Sequence, residues 1–296
     1  MLIWPLLPTI CWRVRPTPVE AIEGGFHDGF VCYEKCSYLS FVYPGWSPKK
    51  LVISLIRSVL HLLWMAITVV PWTLAVILVS LVASRNAAWW VAVNWFRVVM
   101  WGTRVILGVR MEVQGLANLP LGRASAAVLL SKHQSTLETL WLPTLMSHPL
   151  AFVFKRELLK IPFFGWSMAR LDMIHIDRES RAAAMKHVIE QGRQLLSQGT
   201  WVIMFPEGTR IPRGQEGTYQ TAGTRLAVES GAPVVPIAVA TGRCWPRDRF
   251  VKQPGVVRVS IGPPMPSEGR DPKALMREAQ AWIEAEMRRI DPEAYR

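Results

Sequence analysis

The stretch Ala126-Ala127-Val128-Leu129-Leu130-Ser131-Lys132-His133-Gln134-Ser135-Thr136-Leu137-Glu138 decides how this chain is read. An apolar run short enough to be a buried strand empties into a polar, turn-prone segment and then a helical pattern. The same order returns further along, where Trp201-Val202-Ile203-Met204 leads into Phe205-Pro206-Glu207-Gly208-Thr209-Arg210. Open α/β sheets gather their ligands at strand ends of this kind. The first segment offers a proton-abstracting base and the second an anion clamp.

Outward from these segments, the pattern alternates. Strand candidates fall at 111–114, 126–130, 150–154, 173–176, 201–205, 234–238 and 256–261, with helical patterns at 135–146, 164–170, 180–198, 220–230 and 272–290. Alternation of this sort predicts an α/β fold with a mainly parallel sheet covered by helices. Asp271-Pro272 opens the last helix with a capping residue and a first-turn proline.

Before this domain the composition changes. From Ser58 to Ser84 no side chain is formally charged apart from a titratable His61, and a stretch of this length spans a hydrocarbon core of roughly 30 Å. Pro71 interrupts the run, which leaves open a kinked span and a re-entrant or interfacial helix pair. Both flanks are basic (Lys49, Lys50 and Arg57 before, Arg85, Arg97, Arg104 and Arg110 after), so they set no orientation. Over 86–108 Arg97 and Arg104 share one helical face among tryptophans and aliphatics, which suggests a helix in the headgroup layer, an ordinary core helix being the alternative. Residues 1–50 are broken by prolines and glycines, have no basic start or small-residue cleavage site, and read as a poorly ordered extension rather than a signal peptide. The expected organisation is therefore 1–50 extension, 51–108 N-terminal membrane-binding helical segment, and 109–296 α/β domain.

Half of the 296 residues are apolar, ample for a sizeable core, which excludes a disordered protein. The net charge of +12 implies an anionic partner: nucleic acid, an anionic leaflet or a phosphorylated substrate. Six of the 14 tryptophans fall between residues 64 and 101, beside the apolar run, which favours a membrane interface over nucleic acid. Cys11, Cys32, Cys36 and Cys244 fit no complete zinc site and read as free thiols in a reducing compartment.

His133 sits where a strand ends and a helix begins, so one ring nitrogen can face substrate while the other finds a partner. Glu138 is a candidate for that partner, fixing the tautomer and stabilising the imidazolium. Five residues along an uninterrupted helix lie about 140° apart, so the pair works only if His133 lies at or before the first turn. Ser135 has no Gly-x-Ser-x-Gly elbow and reads as a helix cap, so the base would activate a substrate hydroxyl directly. In the second segment Gly208 admits close backbone approach, Thr209 offers a hydroxyl, and Arg210 presents a planar fork suited to phosphate. Glu207 would hold that arginine or hydrogen-bond an acceptor hydroxyl. Lys155, in Phe154-Lys155-Arg156-Glu157-Leu158, can meet the same phosphate, and Ile161-Pro162-Phe163-Phe164-Gly165-Trp166 suits either an acyl-chain wall or core packing.

These residues resemble the glycerolipid acyltransferases typified by 1-acyl-glycerol-3-phosphate acyltransferase. The resemblance spans about residues 50 to 265 in four ordered blocks: His133 to Glu138, Lys155 to Gly165, Phe205 to Arg210, and Val234-Val235-Pro236-Ile237. It implies His133 as general base, Glu138 as its orienting acid, and Lys155, Glu207, Gly208, Thr209 and Arg210 as the grip on the acceptor phosphate, with Pro236 marking the fourth block. It further implies transfer of a fatty acyl group from acyl-CoA or acyl carrier protein to the sn-2 hydroxyl of lysophosphatidate, without a metal or other cofactor. The partners implied are membrane lipids, the lysolipid and the acyl donor, with no nucleic acid. The expected place is a membrane, the catalytic domain on its cytoplasmic face, the inner membrane in a bacterium. Another lysophospholipid or lyso-aminolipid acceptor, an acyl thioesterase, and a non-enzymatic basic membrane-surface adaptor are the competing readings. Two positions depart from the family pattern: Glu138 stands where aspartate is usual, and Tyr219-Gln220-Thr221-Ala222-Gly223 lacks the lysine that many members carry before the glycine.

Overall fold

The computed structural model describes residues 47–120, 122, 125–176 and 181–296. The extension expected over 1–50 therefore lies, apart from residues 47–50, outside the described residues. Helix α1 (Pro48–Val82) starts at Ser47, whose hydroxyl accepts from the Lys50 amide at 3.3 Å, with proline at the first helical position. The helix runs unbroken through Pro71, so the apolar run is one helix rather than a re-entrant pair.

The two faces of α1 are reversed relative to a water-soluble helix. Ser54, Ser58, His61, Thr68 and Thr73 are buried, while Val52, Ile56, Leu60, Leu63, Ile67, Leu74 and Leu78 are exposed. The buried polar stripe meets α2 (Arg85–Val105): His61 Nε2 lies 2.9 Å from Thr103 Oγ1, Trp95 donates to Thr68 Oγ1 at 3.1 Å, and Trp64 donates to the Val98 carbonyl at 3.1 Å. Gly102 makes this approach possible, because a Cβ there would sit 2.5 Å from the Trp64 ring. The other side of α2 buries Trp89, Val93, Phe96 and Val99 in the domain core. So α2 is a core helix on most of its circumference, and only its Arg97 and Arg104 face is free for the headgroup contact expected from the sequence.

The sheet has seven strands: β1 (Val109–Gln114), β2 (Val128–Ser131), β3 (Leu150–Lys155), β4 (Ile174–Ile176), β5 (Trp201–Met204), β6 (Val234–Ala240) and β7 (Gly255–Ile261). Their order is β1-β7-β6-β2-β5-β3-β4, parallel throughout except for the antiparallel β6–β7 pair. Strands β2, β5 and β6 are buried at every residue, as central parallel strands covered on both faces must be. Leu129, Ile203, Val235 and Ile237 point to the layer that holds α2 and α3 (Leu137–Trp141). Val128, Leu130, Val202 and Met204 point to the opposite layer, with α5 (Arg181–Ser197), α6 (Ala222–Ser230) and α7 (Pro272–Ile290). The short α4 (Phe164–Met168) packs on α1, with Ser167 donating to Thr73 Oγ1 at 3.0 Å.

Pro236 is buried inside β6, before the strand's end at Ala240. Its carbonyl accepts from Gly262 at 2.8 Å on the side facing β7, and its missing N–H falls on that side just before the β6–β7 ladder begins at Ile237. The proline therefore omits one bond, the return donation to Gly262 at the start of the β6–β7 ladder, and leaves the pairing with β2 in place.

Replacing Gly102 by leucine forces the Trp64 ring away from α2. The expected cost is about 1–3 kcal/mol, read as a lower midpoint of thermal unfolding in detergent.

Candidate active site

Strand order alone assembles the site. In the sequence β6-β2-β5-β3 four neighbouring parallel strands end side by side, delivering Thr241, His133, the segment Glu207 to Arg210, and Lys155 to one edge of the sheet. Lys155 closes β3; its side chain lies outside what the structure describes.

His133 lies in the turn after β2, four residues before α3 starts, which satisfies the condition that it precede the helix. Its ring stacks on Phe205 at 4.0 Å between centroids, and its Nδ1 is 4.0 Å from Glu138 Oε2, too long for a hydrogen bond. Glu138 is fully buried and folds back on its own loop. Its Oε1 accepts from the Gln134 amide at 2.8 Å, the Ser135 amide at 2.8 Å and the Thr241 hydroxyl at 2.5 Å, while Oε2 accepts from Ser135 Oγ at 3.0 Å. Ser135 Oγ in turn accepts from the Leu137 amide at 3.0 Å, which makes a capping box with the glutamate three residues on. The extra methylene lets the carboxylate serve the loop amides first and the imidazole through space. Burial pushes Glu138 up to about 7 against the pull of its donors, Thr241 foremost. Burial also drives His133 down to about 3, helped by the positive charges of Arg210 and Arg247, so the imidazole is neutral at pH 7.

The anion segment divides. Gly208 takes a left-handed φ of 65° and Thr209 is exposed, so both stand at the surface of the turn. Arg210 donates to Thr136 Oγ1 and to the Arg247 carbonyl, each at 3.4 Å, and Arg247 donates to the Arg210 carbonyl. Lys252 lies close enough for Arg210, after burial, to push its amino group down to about 8. Glu207, expected in the phosphate grip, points inward instead. One of its oxygens accepts from the His133 amide at 2.9 Å and the other lies 2.6 Å from Lys132 Nζ.

Lys132 has no exposed side-chain surface; it also lies 2.7 Å from Glu284 Oε1 on α7, which accepts from Tyr219 at 2.8 Å, and it donates to the Gln215 carbonyl at 3.1 Å. Gln134 Oε1 accepts from the Thr241 and Gly242 amides at 3.1 and 2.9 Å, tying the histidine turn to the end of β6. Sequence pattern passed over Lys132, Glu284, Thr241 and Arg247. The one signal for them was a lysine placed directly after a buried strand.

An imidazole, a buried carboxylate beside it and a cationic rim at the carboxyl edge of a parallel sheet are the groups that group transfer to an anionic hydroxyl compound would use. The chain belongs to the acyltransferase family, whose model matches residues 110–240. Within it, the chain is 44% identical over 244 residues to the 1-acyl-sn-glycerol-3-phosphate acyltransferase of Pseudomonas aeruginosa, covering 81% of this chain and 93% of the relative. The human 1-acyl-sn-glycerol-3-phosphate acyltransferase alpha is 31% identical over 179 residues, 60% of this chain and 62% of its own. The fold is shared with the crystal structure of the 1-acyl-sn-glycerophosphate acyltransferase from Thermotoga maritima, at a TM-score of 0.69 and 23% identity over 81% of this chain and 97% of that one.

Lys132→Met leaves Glu207 and Glu284 buried without their cation. The expected loss is about 3–5 kcal/mol, measured by thermal unfolding in detergent at pH 7. The deficit should narrow as pH falls towards 5. Burial already raises the Glu207 carboxyl, so the folded protein takes up a proton there before the unfolded chain does.

Proposed function

We propose that this protein transfers a fatty acyl group from an acyl thioester to the sn-2 hydroxyl of 1-acylglycerol-3-phosphate, forming phosphatidate. The observation that carries the reading is the juxtaposition of the neutral His133 with the Arg210 rim at the mouth of the sheet. His133 Nε2 takes the proton of the acceptor hydroxyl as its oxygen adds to the thioester carbonyl. The tetrahedral adduct expels the thiolate, which recovers the proton from the imidazolium and leaves as a free thiol. Glu138, 4.0 Å from Nδ1, stabilises that imidazolium through space. Arg210, with Lys155 at the next strand end and the Gly208-Thr209 turn, holds the acceptor phosphate. Glu207 sets the height of the histidine turn.

The acyl donor is acyl-CoA or acyl carrier protein, both polyanions suited to a chain of net charge +12. A small apolar crevice of about 30 Å³, lined by Val69, Trp72, Val76, Phe96, Phe164 and Met168, lies between α1, α2 and α4. The exposed apolar face of α1, a helix long and apolar enough to cross a membrane, supports membrane attachment. The catalytic domain is placed on the cytoplasmic face, where both donors are made.

In an acyl-transfer assay with both donor types, His133→Ala should lower kcat by about 10²- to 10⁴-fold, and Arg210→Gln should raise the KM for lysophosphatidate. A His133→Ala protein with full activity removes the base assignment. Free fatty acid released equally with and without lysolipid in single turnover would favour hydrolysis.

A further inference from the structure

The loop between β6 and β7, residues 241–254, belongs to none of the four sequence blocks, yet it completes the cationic rim. Arg210 and Arg247 each donate to the other's carbonyl, and this exchange holds two like charges side by side. The carboxylate paired with Arg247 is Asp248, at 3.3 Å and with its side chain 76% exposed, where solvent screens it heavily. Arg210 has no described ion pair, and both guanidinium charges act on the His133 ring.

The loop is also fixed from behind. The Lys252 amide donates to Ser58 Oγ of α1 at 2.8 Å, His61 of α1 meets the Trp245 ring edge-on, and Lys252 Nζ lies 4.9 Å from the centre of the same indole. Arg247 is thus carried by a segment clipped to the apolar helix on one side and to Arg210 on the other. Two guanidinium groups kept together with little neutralisation are a matched receptor for a dianion.

We propose that Arg247 is a second arginine of the acceptor-phosphate site, and that the Arg210–Arg247 pair selects a phosphomonoester over a phosphodiester head group. The inference rests on the reading of Arg210 as a phosphate ligand given above. A phosphomonoester carries about −1.5 to −2 charge at pH 7 and three terminal oxygens, enough to engage two planar forks. A phosphodiester carries a single charge and two terminal oxygens, so it satisfies one fork and leaves the other facing like charge.

The test is steady-state kinetics in mixed micelles with lysophosphatidate and lysophosphatidylglycerol as acceptors, comparing wild type, Arg247→Gln, Arg247→Lys and Arg210→Gln. Arg247→Gln should raise the KM for lysophosphatidate roughly 10- to 100-fold with the donor KM nearly unchanged. The KM for lysophosphatidylglycerol should move less than about 3-fold, and Arg247→Lys should recover part of the loss. An unchanged donor KM marks the variant as folded. If Arg210→Gln raises the lysophosphatidate KM and Arg247→Gln does not, the inference falls while the proposed function stands. If neither substitution raises it, the phosphate assignment itself fails. Equal KM increases for both acceptors would leave Arg247 as a phosphate ligand and overturn its role in selection.

Discussion

A lysine ammonium with no exposed surface sits at the end of the central strand β2, and much of the site is arranged around neutralising it. Desolvating such a charge costs several kcal/mol, which is offset only when carboxylates of good geometry surround it. Glu207 comes to Lys132 from the end of β5 and Glu284 from the C-terminal helix, at 2.6 and 2.7 Å, while the Gln215 carbonyl closes a third side. The chain folds together around this point from three separated segments. Because the second oxygen of Glu207 accepts from the His133 amide, the backbone of the base is held by the same charge cluster. Burial raises the Glu207 carboxyl above its ordinary range against the pull of Lys132, and the neighbouring Glu284 adds a smaller push in the same direction.

Attachment to α1 and α2 is the second constraint. An amphipathic helix that buried its apolar side would have presented serines and a histidine to water; α1 does the reverse, so its outward face has no use for water and its inward face is hydrogen-bonded to α2 and to the loop before β7. Since α2 also packs on the sheet through Trp89, Val93 and Phe96, the apolar helix is joined to the catalytic edge by continuous packing rather than by a linker. A lipid acceptor can therefore reach the site while its chains stay on the apolar side.

The central strands were legible because parallel strands covered on both faces must be short, continuous apolar runs, and Val128 to Leu130 or Trp201 to Met204 allow little else. Helix ends were harder. The pattern over 135–146 is broken into α3 and a 3-10 turn over Leu142–Thr144 that carries Pro143 at its start. The face of Arg97 and Arg104 was readable, but not what the tryptophans opposite them touch, since lipid and protein interior attract an indole for the same reason. His133, Glu138 and Arg210 were marked by their place after apolar runs. Lys132 and Glu284 lie 152 residues apart, and no local period links an ion pair across that distance.

The arrangement also bears on how the proposed proton transfer would proceed. His133 is held near 3 by burial first and then by Arg210 and Arg247, which makes the ring by itself a weak base. On the proposed mechanism the acceptor brings its own negative charge to those arginines and cancels the part of the shift that they cause, leaving burial alone. The imidazolium that must form during proton transfer then faces Glu138 on one side and a neutralised rim on the other. On that mechanism the phosphate relieves only the smaller part of the depression, and the Glu138 carboxylate beside the ring must offset the part that burial causes.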